Sequence, residues 1–132
     1  MVSTQHPLAT QIGLDILQQG GNAVDAAVAA GFALAVVLPR AGNLGGGGFM
    51  LVHMAESNKT TAINYREMAP LESHRDMYLD DNGMVDNDKF NQSYHSIGVP
   101  GTVAGLLQAL DNYGTMDINC LLYTSPSPRD RG

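Results

Sequence analysis

Residues 41–54 read AGNLGGGGFMLVHM, a run of four glycines followed by an apolar segment of strand length. The glycines lack the Gly-Lys-Ser/Thr ending of a phosphate loop, and they precede a strand, whereas the dinucleotide fingerprint precedes a helix. They therefore predict a tight turn at which two backbones approach closely. The polar residues 56–59 predict a turn, and residues 60–66 predict the second strand of a hairpin. Because both faces of the first strand are largely apolar, we expect the sheet to be covered on both sides.

A helix is predicted on each side of this hairpin. Residues 7–19 place apolar side chains at helical spacing, with Pro7 in the first turn and Gly20-Gly21 after the last. Residues 100–114 begin with proline, end with glycine and repeat Val and Leu at the same spacing, which predicts another helix.

Between the first helix and the hairpin lies a third predicted helix. Asn22 is placed to cap it, with Asp25 three residues later in a weak version of the capping box. Residues 26–38 are all apolar or small and are stopped by Pro39. This run is shorter than the roughly 20 residues of a membrane span. A helix that is apolar on all sides predicts a buried core helix.

Composition limits the class of protein. The chain has 132 residues, of which 44% are hydrophobic and 15% charged, and this excludes general disorder. Its formal net charge of −6 makes nucleic acid an unfavoured partner. The predicted elements give an α+β fold whose only sheet is a two-stranded hairpin, which is marginal alone. We therefore expect the chain to be part of a larger structure.

Neither acidic residues nor histidines form a recognisable metal site. Residues 76–88 contain five aspartates around Asn82-Gly83, but an EF-hand alignment would put Tyr78 and Lys89 at ligand positions, so a solvated loop is predicted. The histidines lack ligand spacing, and His53 is predicted to be a hydrogen-bonded core residue. No metal and no cofactor is expected.

Arg66 is the candidate binding residue. It ends the second predicted strand, where alternation places it on one face with Ala62 and Asn64. A guanidinium on such a neutral face needs an anion, and it binds carboxylates as a bidentate fork. An internal ion pair is the alternative, although alternation makes Glu67 face the other way and excludes it as the partner. The residues alone leave ligand binding and internal pairing open.

Four motifs, in this order and at similar spacing, resemble γ-glutamyltranspeptidases. The resemblance extends over about residues 1–119. It is carried by residues 20–28 (GGNAVDAAV), 41–50 (AGNLGGGGFM), 65–70 (YREMAP) and 98–105 (GVPGTVAG).

The resemblance implies a fragment of an N-terminal-nucleophile hydrolase, an αββα sandwich whose precursor cleaves itself into a large and a small subunit. The new N-terminal threonine of the small subunit attacks the γ-glutamyl amide of glutathione and other γ-glutamyl compounds. The glutamyl group then passes to water or to an amino acid. The chain matches only the start of the large subunit, so no catalytic residue is assigned and the chain alone is expected to be inactive.

One residue role is implied by the resemblance. The arginine of the Arg-Glu-Met-Ala-Pro motif holds the α-carboxylate of the γ-glutamyl group, and Arg66 stands at that place. The glycine motif is then interpreted as tight packing beneath the site. A periplasmic or secreted location is also implied, although residues 1–7 show no signal peptide; we expect truncation at both ends rather than a cytoplasmic relative.

Two other functions remain open. A related acylase would cleave glutaryl-type side chains, whose substrates also present a carboxylate. A stand-alone, non-catalytic module would use Arg66 only to bind an acidic ligand.

The last residues differ from the rest of the chain. Residues 120–130 (CLLYTSPSPRD) resemble the translation of a transposase sequencing adapter over eleven consecutive positions. A Ser/Pro linker is the alternative. We therefore expect residues 1–119 to be the natural part and residues 120–132 to be a non-native tail.

Overall fold

The computed structural model describes residues 1–41 and 43–123. These residues form five α-helices, one turn of 3-10 helix and two strands. The elements are α1 (Pro7–Gln18), α2 (Ala23–Val37), β1 (Phe49–Met54), β2 (Lys59–Asn64), α3 (Asn87–Gln92), the 3-10 turn Tyr94–Ser96, α4 (Thr102–Tyr113) and α5 (Ile118–Tyr123).

Helix α1 confirms the first predicted helix. It has Pro7 in its first turn, and His6 caps it because its Nδ1 accepts a hydrogen bond from the Leu8 N–H at 3.3 Å. Gly20 follows the helix at φ +94°, a conformation that glycine adopts without strain. Leu8, an apolar residue in the first turn of this helix, is 50% exposed.

Helix α2 is the centre of the core and confirms the predicted buried helix. Asn22 Oδ1 accepts hydrogen bonds from the N–H groups of Val24 and Asp25, while Asp25 Oδ2 accepts one from the Asn22 N–H at 2.7 Å. This is a complete capping box. The helix contacts α1, α4 and α5. Its small side chains pack against these neighbours on several sides, so it needs no polar face.

The hairpin is confirmed, but two expectations about it are wrong. Strands β1 and β2 pair antiparallel from Phe49 opposite Asn64 to Met54 opposite Lys59, so β2 ends at Asn64 and not at residue 66. Only one face is covered by the described residues, since Val52 is 6% exposed and Leu51, on the other face, is 76% exposed. Side chains alternate along a strand, and the core of α2 lies on one side only.

His53 is not a core residue, contrary to expectation. Its side chain lies on the uncovered face of β1, and its Nδ1 lies 3.0 Å from the Thr60 Oγ1 on β2. The predicted hydrogen bond therefore exists, but it is a cross-strand contact at the surface. The apolar sequence of the strand suggested burial that the described residues do not provide.

The acidic segment forms an exposed turn, as predicted. Gly83 has φ +76°, and Leu79 and Val85 form an isolated antiparallel bridge around it. Asp80 Oδ1 accepts hydrogen bonds from the N–H groups of Asn82 and Met84, at 2.9 and 2.8 Å. The Met84 N–H is the main cause of the lowered pKa of Asp80. The short helix α3 was not predicted.

Helix α4 confirms the predicted helix at residues 100–114, and Gly114 is its C-cap. Helix α5 was not predicted. It begins before the proposed tail and includes its first residues, among them Leu121, which is fully buried. The remaining residues of that tail, 124–132, lie outside the described residues, and the origin of the tail stays a prediction. No helix in the described ranges has the length and apolarity needed to cross a membrane.

Candidate functional site

Arg66 lies just beyond the end of β2, on the segment that leads away from the hairpin. Its backbone N–H donates a hydrogen bond to the Asn64 Oδ1 at 3.1 Å, and this bond fixes the chain at the strand end. The side chain is 65% exposed. Arg66 is therefore presented at the surface of the described residues from a backbone that is held in place.

Glu67 is an ion-pair partner of Arg66, and its predicted exclusion is wrong. The Arg66 Nε lies 3.3 Å from the Glu67 Oε2. The exclusion assumed that strand alternation continues to residue 67, but β2 ends at Asn64, so the rule does not apply there. The Arg66 side chain of this pair is 65% exposed, so the pair stabilises the fold little. The pair orients the Arg66 side chain, because it holds the Nε edge of the guanidinium toward Glu67.

The rest of the Arg66 guanidinium is free. Across residues 1–41 and 43–123 it makes no other ion pair and donates no hydrogen bond. The Glu67 Oε2 is shielded from solvent and accepts no hydrogen bond from these residues, so the pair is a close charge contact without hydrogen-bond alignment. The terminal nitrogens are thus available for a bidentate contact with an external carboxylate.

The glycine run packs against the backbone of the Arg66 segment, which confirms the predicted close approach. The N–H of Gly48 donates to the Tyr65 carbonyl at 3.3 Å, and the Tyr65 N–H donates to the Gly48 carbonyl at 3.0 Å. A Cβ at Gly47 would lie 2.5 Å from the Tyr65 oxygen and 2.7 Å from the Glu67 nitrogen. No side chain fits at this place, so residue 47 has to be glycine.

The fourth motif, residues 98–105, packs against the same segment. Met68 and Val99 exchange both backbone hydrogen bonds, at 3.2 and 2.7 Å. The N–H of Gly101 donates to the Gly46 carbonyl at 2.9 Å. Three of the four motifs therefore meet around Arg66. The resemblance implied that the glycine run packs beneath the site, but sequence reasoning did not find that residues 98–105 lie there too, and the only signal for this was their glycine content.

Tyr65 anchors the segment in the core. Its ring lies over Gly105 of α4, where a Cβ would collide with the ring, and it packs against the hydrophobic core. Burial raises the pKa of the Tyr65 hydroxyl. The residue next to Arg66 is thus fixed by side-chain packing as well as by backbone contacts.

The first motif has a separate, structural role that centres on Asp25. This carboxylate is fully buried. It accepts hydrogen bonds from the Asn22 N–H at 2.7 Å, from the Thr115 hydroxyl at 2.6 Å and N–H at 2.9 Å, and from the Met116 N–H at 3.2 Å. Burial by itself would raise the pKa of Asp25, but these four hydrogen bonds outweigh burial and hold the pKa below its ordinary value. Asp25 ties the start of α2 to the chain after α4.

A metal centre has no counterpart in the described ranges. There, no three His, Cys, Asp or Glu side chains are grouped so that they could hold a metal ion.

Comparisons with known proteins agree on one family. The model of the family described as γ-glutamyltranspeptidase matches residues 9–127. The "Glutathione hydrolase proenzyme" of Escherichia coli is 60% identical over 119 residues, which are 90% of this chain and 20% of that protein. The chain therefore spans about a fifth of the length of this curated relative.

Solved structures give the same result for the fold. The Helicobacter pylori γ-glutamyltranspeptidase has a TM-score of 0.87 and 47% identity, over 95% of this chain and 36% of that chain. The γ-glutamyltranspeptidase from Pseudomonas nitroreducens complexed with L-DON has a TM-score of 0.85 and 40% identity, over 94% of this chain and 36% of that one. The expected α+β fragment of an N-terminal-nucleophile hydrolase is confirmed. The chain belongs to the γ-glutamyltranspeptidase family.

Proposed function

We propose that this chain is the N-terminal part of the large subunit of a glutathione hydrolase. The whole enzyme cleaves the γ-glutamyl amide of glutathione and related compounds and passes the glutamyl group to water or to an amino acid. The observation that carries this proposal is the 60% identity to the E. coli glutathione hydrolase proenzyme. The acylase and the stand-alone binding module are less well supported, because this relative is named as a glutathione hydrolase.

Arg66 binds the α-carboxylate of the γ-glutamyl group in this proposal. Its Nε is held by Glu67, and its other nitrogens are free among the described residues. A carboxylate accepts two parallel hydrogen bonds from such a fork. The carboxylate is remote from the scissile amide, so the role of Arg66 is to position the substrate against the nucleophile.

The nucleophile is proposed to come from the small subunit of the same precursor. Its N-terminal threonine forms the acyl-enzyme, with its own α-amino group or a water as the base. No residue of the present chain is assigned a catalytic role.

Location and chain boundaries are also proposals. A periplasmic or secreted location is proposed on the basis of the family. Residues 1–119 are proposed as the natural part of the chain and residues 120–132 as a non-native tail, because residues 120–130 match a translated adapter over eleven positions.

A hybrid precursor tests the function. The aligned 119-residue segment of this chain replaces its counterpart in the E. coli proenzyme. We expect the hybrid to cleave itself and to hydrolyse γ-glutamyl nitroanilide faster than glutaryl nitroanilide, which lacks the α-amino group. A preference for the glutaryl substrate would support the acylase instead. A hybrid that matures but cleaves neither substrate would contradict both enzymatic functions and favour the binding module.

A further inference from the structure

Residues 98–101, here called the positioning segment, lie alongside the segment that carries Arg66. The bridge between Met68 and Val99 joins the two segments, and the Gly101 N–H donates a hydrogen bond to the Gly46 carbonyl at 2.9 Å. The Thr102 N–H donates to the same Gly46 carbonyl at 3.1 Å. The positioning segment is therefore anchored to the glycine run as well as to the segment of Arg66.

Within the positioning segment, Gly101 lies closest to the backbone of Tyr65 and Arg66. A Cβ at this residue would overlap the Tyr65 carbonyl oxygen and would lie 2.8 Å from the Tyr65 carbonyl carbon and 3.3 Å from the Arg66 oxygen. Its φ of −115° is open to any residue, so the need for glycine comes from space alone. Gly47 contacts the same Tyr65–Arg66 peptide group, since its own absent Cβ would lie 2.5 Å from the Tyr65 carbonyl oxygen, and it would also lie 2.9 Å from the Arg66 carbonyl carbon.

Gly98 lies against Glu67, the ion-pair partner of Arg66. A Cβ at this residue would lie 3.1 Å from the Glu67 Cβ, which is closer than ordinary van der Waals contact. Glu67 in turn pairs with the Arg66 Nε at 3.3 Å. The positioning segment thus lies against both the backbone from which Arg66 projects and the aliphatic part of the Glu67 side chain, whose carboxylate orients the guanidinium.

We propose that Gly101, assisted by Gly98, is a positioning residue that sets the place of the Arg66 guanidinium and so determines selectivity for substrates with an α-carboxylate. This inference rests on the proposed role of Arg66. A methyl group at residue 101 has to displace the peptide between Tyr65 and Arg66, because the Gly101 backbone is itself held by Gly46. Because the nucleophile is proposed to lie on the small subunit, this displacement changes the place of Arg66 relative to it.

The experiment compares Gly101→Ala, Gly98→Ala and Gly45→Ala in the hybrid precursor. Gly45 is the matched control, because it belongs to the glycine run but its Cβ would meet only the Asn43 Oδ1, at 3.4 Å. The substrates are γ-glutamyl nitroanilide and γ-aminobutyryl nitroanilide, which keeps the amine and lacks the carboxylate. Self-cleavage and melting temperature are measured on each variant.

We expect Gly101→Ala to lower the ratio of kcat/KM for the γ-glutamyl over the γ-aminobutyryl substrate by roughly 10- to 100-fold, as a displacement of about 1 Å does. Gly98→Ala is expected to lower the same ratio by a smaller factor, and it carries the test if Gly101→Ala does not fold. Gly45→Ala should leave the ratio unchanged.

Equal losses on both substrates in Gly98→Ala and Gly101→Ala would overturn the inference, because they indicate a structural role only. Arg66→Ala separates this failure from failure of the proposed function. If Arg66→Ala lowers the ratio while the glycine variants do not, Arg66 binds the carboxylate and the positioning role is wrong. If Arg66→Ala keeps the ratio, the proposed role of Arg66 is wrong and the inference falls with it.

Discussion

Replacing Asp25 by asparagine is expected to loosen α2 strongly, although the substitution keeps the size of the side chain. Each carboxylate oxygen accepts two hydrogen bonds, Oδ1 from the Thr115 and Met116 N–H groups and Oδ2 from the Asn22 N–H and the Thr115 hydroxyl. An amide nitrogen must replace one of these oxygens. The less costly choice is Oδ2, because the Thr115 hydroxyl can rotate to accept, but the Asn22 N–H then loses its acceptor.

The magnitude follows from these contacts. One hydrogen bond to a buried charge is lost, the partly buried Asn22 N–H is left without an acceptor, and the remaining hydrogen bonds no longer involve a charged group. Together these losses cost about 2–4 kcal/mol. Hydrogen exchange in the hybrid precursor measures this locally. Amide protection in α2 should fall by roughly 30- to 1000-fold. Asp111→Asn is the matched control on α4, since Asp111 is exposed and its substitution should change stability by less than about 0.5 kcal/mol.

The effect of pH has a defined sign. The folded pKa of Asp25 lies below its ordinary value of 3.8, so the carboxylate stabilises the fold fully above that value. The stabilisation is lost as pH falls through the folded pKa. The difference in α2 protection between wild type and Asp25→Asn should therefore be constant near neutral pH and decrease only below pH 3.8. A difference that disappears well above pH 3.8, or equal effects of Asp25→Asn and Asp111→Asn, would refute the reasoning.

Three further outcomes are expected. Arg66→Lys should recover only part of the activity lost in Arg66→Ala, because an ammonium keeps the charge but not the planar fork, and full recovery would exclude bidentate binding. The 132-residue chain expressed alone should aggregate or melt without cooperativity, because Phe49 and Leu51 are 67% and 76% exposed on the uncovered sheet face; a sharp thermal transition would contradict this. Independent genomic reads should diverge from the present sequence near Asn119, and reads that reproduce residues 120–130 within a longer gene would show that the tail is natural.

Local signals predicted much of the fold. Asn22 and Asp25 form the capping box that their spacing suggested, and Gly114 ends α4. The hairpin follows from two β-prone runs around a polar turn. In each case the sequence neighbours are also the contacts in space, so a local pattern contains the information needed.

Contacts between residues that are distant in the sequence could not be predicted from local patterns. Asp25 receives hydrogen bonds from Thr115, 90 residues away, and nothing in either local pattern indicates that pair. Gly101 meets Tyr65 through a close backbone approach that only the folded chain defines. Pairing between Arg66 and Glu67 was excluded because the strand was predicted two residues too long, an ordinary boundary error with a direct effect on the site.

The central claim is that Arg66 binds the α-carboxylate of the substrate, and one pair of rate measurements tests it most directly. The kcat/KM of the wild-type hybrid and of Arg66→Ala is measured on γ-glutamyl and γ-aminobutyryl nitroanilide. We expect Arg66→Ala to lose roughly 2–5 kcal/mol on the γ-glutamyl substrate, about 30- to several-thousand-fold, while self-cleavage and the carboxylate-free substrate are little affected. The same ratio of activities on the two substrates in both proteins would contradict the claim.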